Sequence, residues 1–493
     1  MNDNLKIQEV KKKAVVSAKW LMITSVVCMA CSWLTNALLG RIAPEVLGQY
    51  AIVSIFISTI NTFVIVGDSA VLSNFIPKAG DDRERTNIFF SLSILTFGMY
   101  IVFGTIILFV PAISSKLIGG MTFGNRLAAV MLTGLFYMIM ALVSNLLISV
   151  LEARISKIMV QLNSIILPVV LVAISFVDLQ WLIENILIVV LITRAFSDAA
   201  ALCIGLYWLK KNIVFSKNFR FYWPKRIRNF NFSSYAQSIF SYIYNNVDKL
   251  FLVSLGSMGQ LGYYQAILSV IAVVEYVPNM IYSVTVPYFS NIIAMKETQL
   301  VRNSYEKMER YFVLFVDSIV IGLIACSQII MRIFGEGYLD YANLLVVYLV
   351  AYSATALSRI NTSLVVSLEM NRLRFINSFL QISIQIGITI ALFDKLKIMS
   401  LILGKGTGVL IAQLIPMYVL AHNEKYRVKP SKPYFAGILV ALLLGSVIII
   451  FDLNIILSLA AGCIAYILFL FFIGFKVSEL VSLIQIVKNN RKE

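Results

Sequence analysis

Fourteen times along this chain, about 20 or more mostly apolar residues run on without a break. A stretch of that length is stable in a bilayer as a helix, because every backbone polar group is then paired within the segment. The stretches lie at about 14–39, 48–76, 87–110, 126–151, 158–177, 183–209, 232–255, 262–290, 310–334, 341–368, 374–393, 399–422, 434–452 and 454–475 of the 493 residues. They predict an all-α polytopic membrane protein with about 14 transmembrane helices. Composition excludes an ordinary soluble enzyme: 59% of residues are hydrophobic and 13% charged, and the mean hydropathy is +0.86. The stretch after Lys11, Lys12 and Lys13 is too long for the core of a signal peptide and lacks a small-residue cleavage site, so it is expected to remain as the first span.

A net charge of +16 would suit nucleic acid, but there is little polar surface to present it, and no nucleic-acid partner is expected. The charge follows topology. With the amino terminus inside, thirty of the 41 Lys and Arg fall in cytoplasmic segments, and six fall outside: Arg41, Lys116, Arg126, Arg332, Lys395 and Lys397. Five lie within spans: Lys19, Arg194, Lys249, Arg359 and Lys405. That asymmetry places both termini in the cytoplasm. The longest loop, the basic segment Lys210 to Asn231, leaves no room for a soluble catalytic domain.

An internal repeat organises the chain. Leu47-Gly48-Gln49-Tyr50 recurs as Leu261-Gly262-Tyr263-Tyr264, and Pro77 recurs as Pro287. Ile118-Gly119-Gly120 recurs as Phe334-Gly335-Glu336, and Val150-Leu151-Glu152 as Ser367-Leu368-Glu369, with offsets of 214, 210, 216 and 217 residues. Six helices separate the copies, so the halves share one orientation, as in parallel-repeat transporters. The expected organisation is a six-helix bundle over residues 1–215, a second over 216–430, and two further helices with a basic tail over 431–493. A cleft between the bundles is where a substrate is expected.

Polar residues inside spans are costly and usually face a cavity or another helix. In the seventh stretch Ser234, Ser238, Ser241, Asn245 and Asp248 form a single helical stripe, as do Ser54, Ser58, Asn61 and Asp68 in the second. The eighth carries Glu275, Asn279 and Tyr282, and the tenth Thr355, Arg359 and Thr362. Among the cations, Lys19 lies about a turn inside the first stretch, and Arg194 stands four residues before Asp198, a spacing that favours mutual neutralisation. Lys249 is rotated about 100° from Asp248, so the two point different ways. Arg359 is the best anion ligand, since a guanidinium forks onto phosphate oxygens and keeps its charge when desolvated. Lys405, in Gly404-Lys405-Gly406-Thr407-Gly408, departs from the phosphate-loop spacing, and close helix packing at the glycines explains the segment better. The candidate cavity residues are therefore Lys19, Lys249, Arg359, Arg194, Lys405, Asn61, Asn245 and Asn279. His422 is the sole histidine and the five cysteines all lie in apolar stretches, so neither a triad, a metal site nor a cofactor is expected.

Leu39-Gly40-Arg41-Ile42-Ala43-Pro44-Glu45-Val46-Leu47-Gly48-Gln49-Tyr50, Asn246-Val247-Asp248-Lys249-Leu250-Phe251-Leu252 with Leu261-Gly262-Tyr263-Tyr264 after it, and Phe334-Gly335-Glu336-Gly337-Tyr338 occur in an order that resembles the polysaccharide flippases of the multidrug/oligosaccharidyl-lipid/polysaccharide (MOP) exporter superfamily, the Wzx-type carriers of lipid-linked oligosaccharide. The resemblance implies an alternating-access flippase in a bacterial cytoplasmic membrane. It would move an undecaprenyl-diphosphate-linked glycan to the outer leaflet for surface polysaccharide such as O-antigen. The implied partners are that lipid-linked glycan, membrane lipids, and the polymerase and other envelope-assembly proteins; the protein would not be an enzyme. A wet, partly cationic cleft suits such a substrate, and Asp68, Asp248 and Glu275 are the candidates for coupling transport to protons or sodium. An ion-coupled multidrug exporter of the same superfamily is the alternative, against which the cavity cations and the two extra helices argue. A glycan polymerase or ligase would be expected to carry a large outer loop, and a scaffold would not require polar stripes on four helices.

Overall fold

The computed structural model describes residues 26–66, 71–72, 75–76, 79–109, 127–150, 152–177, 179–213, 215–294, 298–355, 358–368, 370–423, 425–428 and 432–473. Every long regular element among them is helical, and each of the fourteen apolar stretches carries a helix. The first unit, Met1–Ser269, holds α1 (Val26–Ile42), α2 (Pro44–Thr59, continued by a π-helical turn Ile60–Val64), α3 (Asp82–Phe109), α4 (Leu127–Ser149), α5 (Ala153–Val177), α6 (Leu179–Asn212), α7 (Lys225–Leu255) and the start of α8 (Met258–Ala294). The second unit, Val270–Glu493, holds the rest of α8, α9 (Thr298–Ala325 and Ser327–Phe334), α10 (Ala342–Thr355 and Ser358–Ser367), α11 (Asn371–Leu396), α12 (Ile398–Ala421), α13 (Lys432–Ile450) and α14 (Ile455–Ile473). The boundary between these two units falls within α8.

Nine helices among the described residues are long and apolar enough to cross a membrane, ten if the two parts of α9 form one span. Those parts meet at 67° beside Cys326. The chain then turns at Gly335, whose φ of 137° is open to glycine and strained for other residues. α7 falls below the hydropathy of a simple span because its polar stripe lowers its average apolarity.

In the first unit α6 packs along α4 and α5, while the π turn of α2 is touched by α3, α4 and α7. Buried Val71, Leu72, Ile88, Leu92, Met140, Leu146 and Ala201 build one continuous core there. In the second unit α11 lies along α12, and α13 and α14, which stand outside the repeat, dock on α9. The α11–α12 contact explains the glycine run. A Cβ on Gly404 would come within 2.7 Å of Gln385 O and Thr389 Oγ1, and one on Gly408 within 2.8 Å of Gln381 O. These positions permit backbone approach in a setting where packing drives helix association. Gly404→Val and Gly408→Val are each expected to destabilise the protein by about 1–3 kcal/mol, read as a lower unfolding temperature of the protein in detergent. Unchanged unfolding temperatures would show that the contact tolerates a side chain.

Candidate functional site

The π turn at Ile60–Val64 takes α2 out of regular register: Ile65 is already extended, with ψ 102°. Such turns leave backbone groups unpaired and recur at functional sites. Side chains of neighbouring helices meet this need. Tyr235 Oη of α7 donates to Phe63 O at 3.0 Å, and Val66 N donates to Thr96 Oγ1 of α3 at 3.1 Å. Tyr242 Oη donates to Thr59 Oγ1 at 2.8 Å, whose own proton goes to Ile55 O at 2.9 Å. The Tyr242 ring stands edge-on to Phe63 at 5.1 Å between centroids.

A cavity of about 270 Å³ opens at this break, lined by Asn61, Thr62, Ile65 and Val66 of α2 and its exit, Asn145 of α4, and Asn231, Tyr235 and Ser238 of α7. Six of the eight lining residues are polar and none carries a charge. Amide and hydroxyl groups of this kind can donate to and accept from a neutral polyol. The volume is somewhat below that of pockets enclosing drug-sized molecules, about 300–1,000 Å³, so the cavity suits one small polar unit.

Helical spacing brings Asn61 and Ser238 here, from two separate stripes. Asn231 and Tyr235 extend the α7 stripe one turn towards its start, and their i, i+4 and i+7 relation to Ser238 is the signal that locates them. Asn145, beside Ser144 in an otherwise apolar stretch, offers only its isolation as a clue.

The remaining candidates are not among the residues that line this cavity. Asp248 is 1% exposed; it accepts from Tyr264 Oη of α8 at 2.5 Å and from Lys249 N at 2.9 Å, and so ties the end of α7 to the start of α8. Lys249 turns the other way, its Nζ 3.5 Å from Asn246 Oδ1, as a rotation of about 100° requires. Asn245 is exposed. Arg194 Nε pairs with Asp198 at 2.9 Å, and its guanidinium lies 5.1 Å from the centre of the Tyr137 ring, which neutralises and covers it. In the second unit, Glu275 is half-buried on α8, Arg359 is half-buried at the start of the second part of α10, and Lys405 is buried on α12. Lys19, Asp68 and the side chain of Asn279 lie outside the described residues.

Residues 16–293 match the model of the family described as polysaccharide biosynthesis protein. No curated protein matches the chain. Among solved structures, the lipid II flippase MurJ in an inward closed conformation is similar with a TM-score of 0.70 at 14% identity, over 91% of this chain and 97% of that one. An inward-facing multidrug resistance MATE family transporter of the MOP superfamily is similar with a TM-score of 0.65 at 14% identity, over 82% and 96%. A MOP superfamily transporter from Pyrococcus furiosus gives 0.58 at 14% identity, over 89% and 96%.

Proposed function

The chain belongs to the polysaccharide biosynthesis protein family, and on that premise we propose that it is a flippase of the MOP superfamily for an undecaprenyl-diphosphate-linked oligosaccharide. The unit would pass from the cytoplasmic to the outer leaflet of a bacterial cytoplasmic membrane by alternating access, in a chain with both termini inside. The observation that carries this reading is the uncharged, hydroxyl- and amide-lined cavity at the break in α2. It offers hydrogen bonds to a sugar in a membrane segment where unpaired polar groups are expensive. A hydrophobic drug cation would be served better by acidic and aromatic linings. Charge for the diphosphate is assigned to Arg359, with Lys249 and Lys19 as further candidates, and the substrate's lipid tail stays in the bilayer throughout.

Depleting the protein in its own host tests the reading. A complete lipid-linked repeat unit is expected to accumulate while the surface polymer disappears, measured by mass spectrometry of extracted polyprenyl-linked sugars and by assay of the polymer. Normal polymer together with heightened sensitivity to cationic drugs would overturn it in favour of an exporter.

A further inference from the structure

α9 carries two carboxylates into the second unit. Asp317 is 1% exposed and Glu309 is fully buried, two turns and about 12 Å apart at 1.5 Å per residue. Neither oxygen of Asp317 has a hydrogen-bond partner among the described residues. The carboxyl is pressed instead against α13 at Gly437, where a Cβ would lie 1.8 Å from Asp317 Oδ2 and 2.7 Å from its Cγ. Only a residue without a side chain leaves the notch that the carboxyl fills. A lone ionised carboxylate packed against a helix backbone in a lipid-embedded unit is among the most costly arrangements available, while its neutral acid costs far less.

Few charges on the surrounding elements could offset that cost. On α9 itself Arg302 pairs with Glu306 at 3.2 Å, Lys307 is exposed, and Arg310 is half-buried seven residues before Asp317, about 10 Å along the helix axis. Arg359 opens the second part of α10, Arg332 in the second part of α9 pairs with Glu336 at 2.9 Å, and Lys432 opens α13, its side chain outside the described residues. α14 has no Asp, Glu, Lys, Arg or His between Ile455 and Ile473. Tyr434 of α13 lies within electrostatic reach of both carboxylates, but a phenol brings no positive charge. Nearer the start of α9, Tyr305 Oη donates to Asn361 Oδ1 of α10 at 2.6 Å, and Asn361 Nδ2 is left with no partner among the described residues. Polar groups thus continue along α9 from Tyr305 through Glu309 to Asp317.

We propose that Asp317 is a proton-binding site covered by α13: it holds a proton while α9 and α13 are packed at Gly437, and releases it to water when they part. The O–H bond breaks on separation and re-forms on closure, so packing of the α13–α14 pair is linked to proton uptake. Its use in transport rests on the flippase reading; the protonation itself does not.

Infrared spectroscopy of the whole protein in lipid nanodiscs at neutral pH is the direct test. The wild-type chain is expected to show a carboxylic-acid C=O band that is lost in Asp317→Asn and kept in Glu309→Gln. Asn mimics the neutral acid in size and charge, so this variant is expected to fold. Identical wild-type and Asp317→Asn spectra would overturn the proposal. A second arm follows flipping of lipid-linked glycan in vesicles with and without a pH gradient. Asp317→Asn is expected to abolish at least 80–90% (roughly a 5- to 10-fold change, or about 1–1.4 kcal/mol) of any gradient dependence, and an unchanged dependence would overturn the coupling. Absence of flipping by the wild-type protein, with the infrared band present, would count against the flippase reading and leave the proton site standing.

Discussion

Gly262→Val is expected to abolish folded protein in the membrane, and Gly262→Ala to lower the unfolding temperature markedly. A Cβ on Gly262 would lie 1.8 Å from Pro44 O and 2.6 Å from Pro44 C. One on Gly48 would lie 2.2 Å from Met258 O and 3.1 Å from Met258 C. Pro44 and Met258 are the first residues of α2 and α8, and Gly48 and Gly262 the fifth. Each helix therefore presents its glycine to the other's opening residue, in a reciprocal contact between equivalent positions of the repeat. The obstacles are backbone atoms, which cannot swing aside, so even one methyl group must push the helix starts apart. Overpacking of a well-packed site costs about 1–3 kcal/mol, and a fixed backbone obstacle places Gly262→Ala at the upper end. Because Gly48→Ala and Gly262→Ala would open the same crossing, the double variant is expected to lose less than the sum of the single losses. Unfolding temperatures of the three variants in detergent decide the matter; strictly additive losses, or none, would refute the reciprocal contact.

Those two glycines also mark how far the sequence can be read. The leucine-glycine repeat is visible as a landmark at an offset of 214 residues, yet nothing in local periodicity says that its copies touch, since that contact exists only in the tertiary fold. The membrane architecture is legible because the length and apolarity of a span are imposed by the bilayer itself. The polar stripes are legible because helical spacing alone puts Asn61 and Ser238 on the polar faces of their helices. The π turn is not: it depends on Tyr235 and Thr96 reaching Phe63 and Val66 from other helices, so local spacing does not show the break at which the cavity opens. Asp317 escapes notice for a related reason. It is a lone carboxyl in an apolar stretch, and its meaning depends on the glycine of α13 that faces it, 120 residues away in sequence.

Removing the guanidinium at Arg359 is expected to cut flipping of the lipid-linked glycan by about 10- to 100-fold, since a hydrogen bond to a charged group contributes about 1.5–3 kcal/mol and each 1.4 kcal/mol is tenfold. Among the span cations placed by the structure, Arg194 is committed to Asp198 and covered by Tyr137, and Lys405 is buried between helix-packing glycines. Arg359 is half-buried on a ten-residue segment that begins a fresh helix after the break in α10. Its backbone carbonyl accepts from Ser363 Oγ at 2.8 Å, while the guanidinium makes no hydrogen bond or ion pair among the described residues. A planar fork can hold two phosphate oxygens at once, whereas an ammonium is a point charge. Arg359→Lys is therefore expected to recover part of the activity, Arg359→Gln almost none, and neither to alter the unfolding temperature by more than a surface substitution would. Flipping in proteoliposomes loaded with the purified lipid-linked unit supplies the readout. Equal activity of all three proteins would remove Arg359 from the site, and equal loss in Lys and Gln variants would mean that the fork geometry, not the charge, holds the diphosphate.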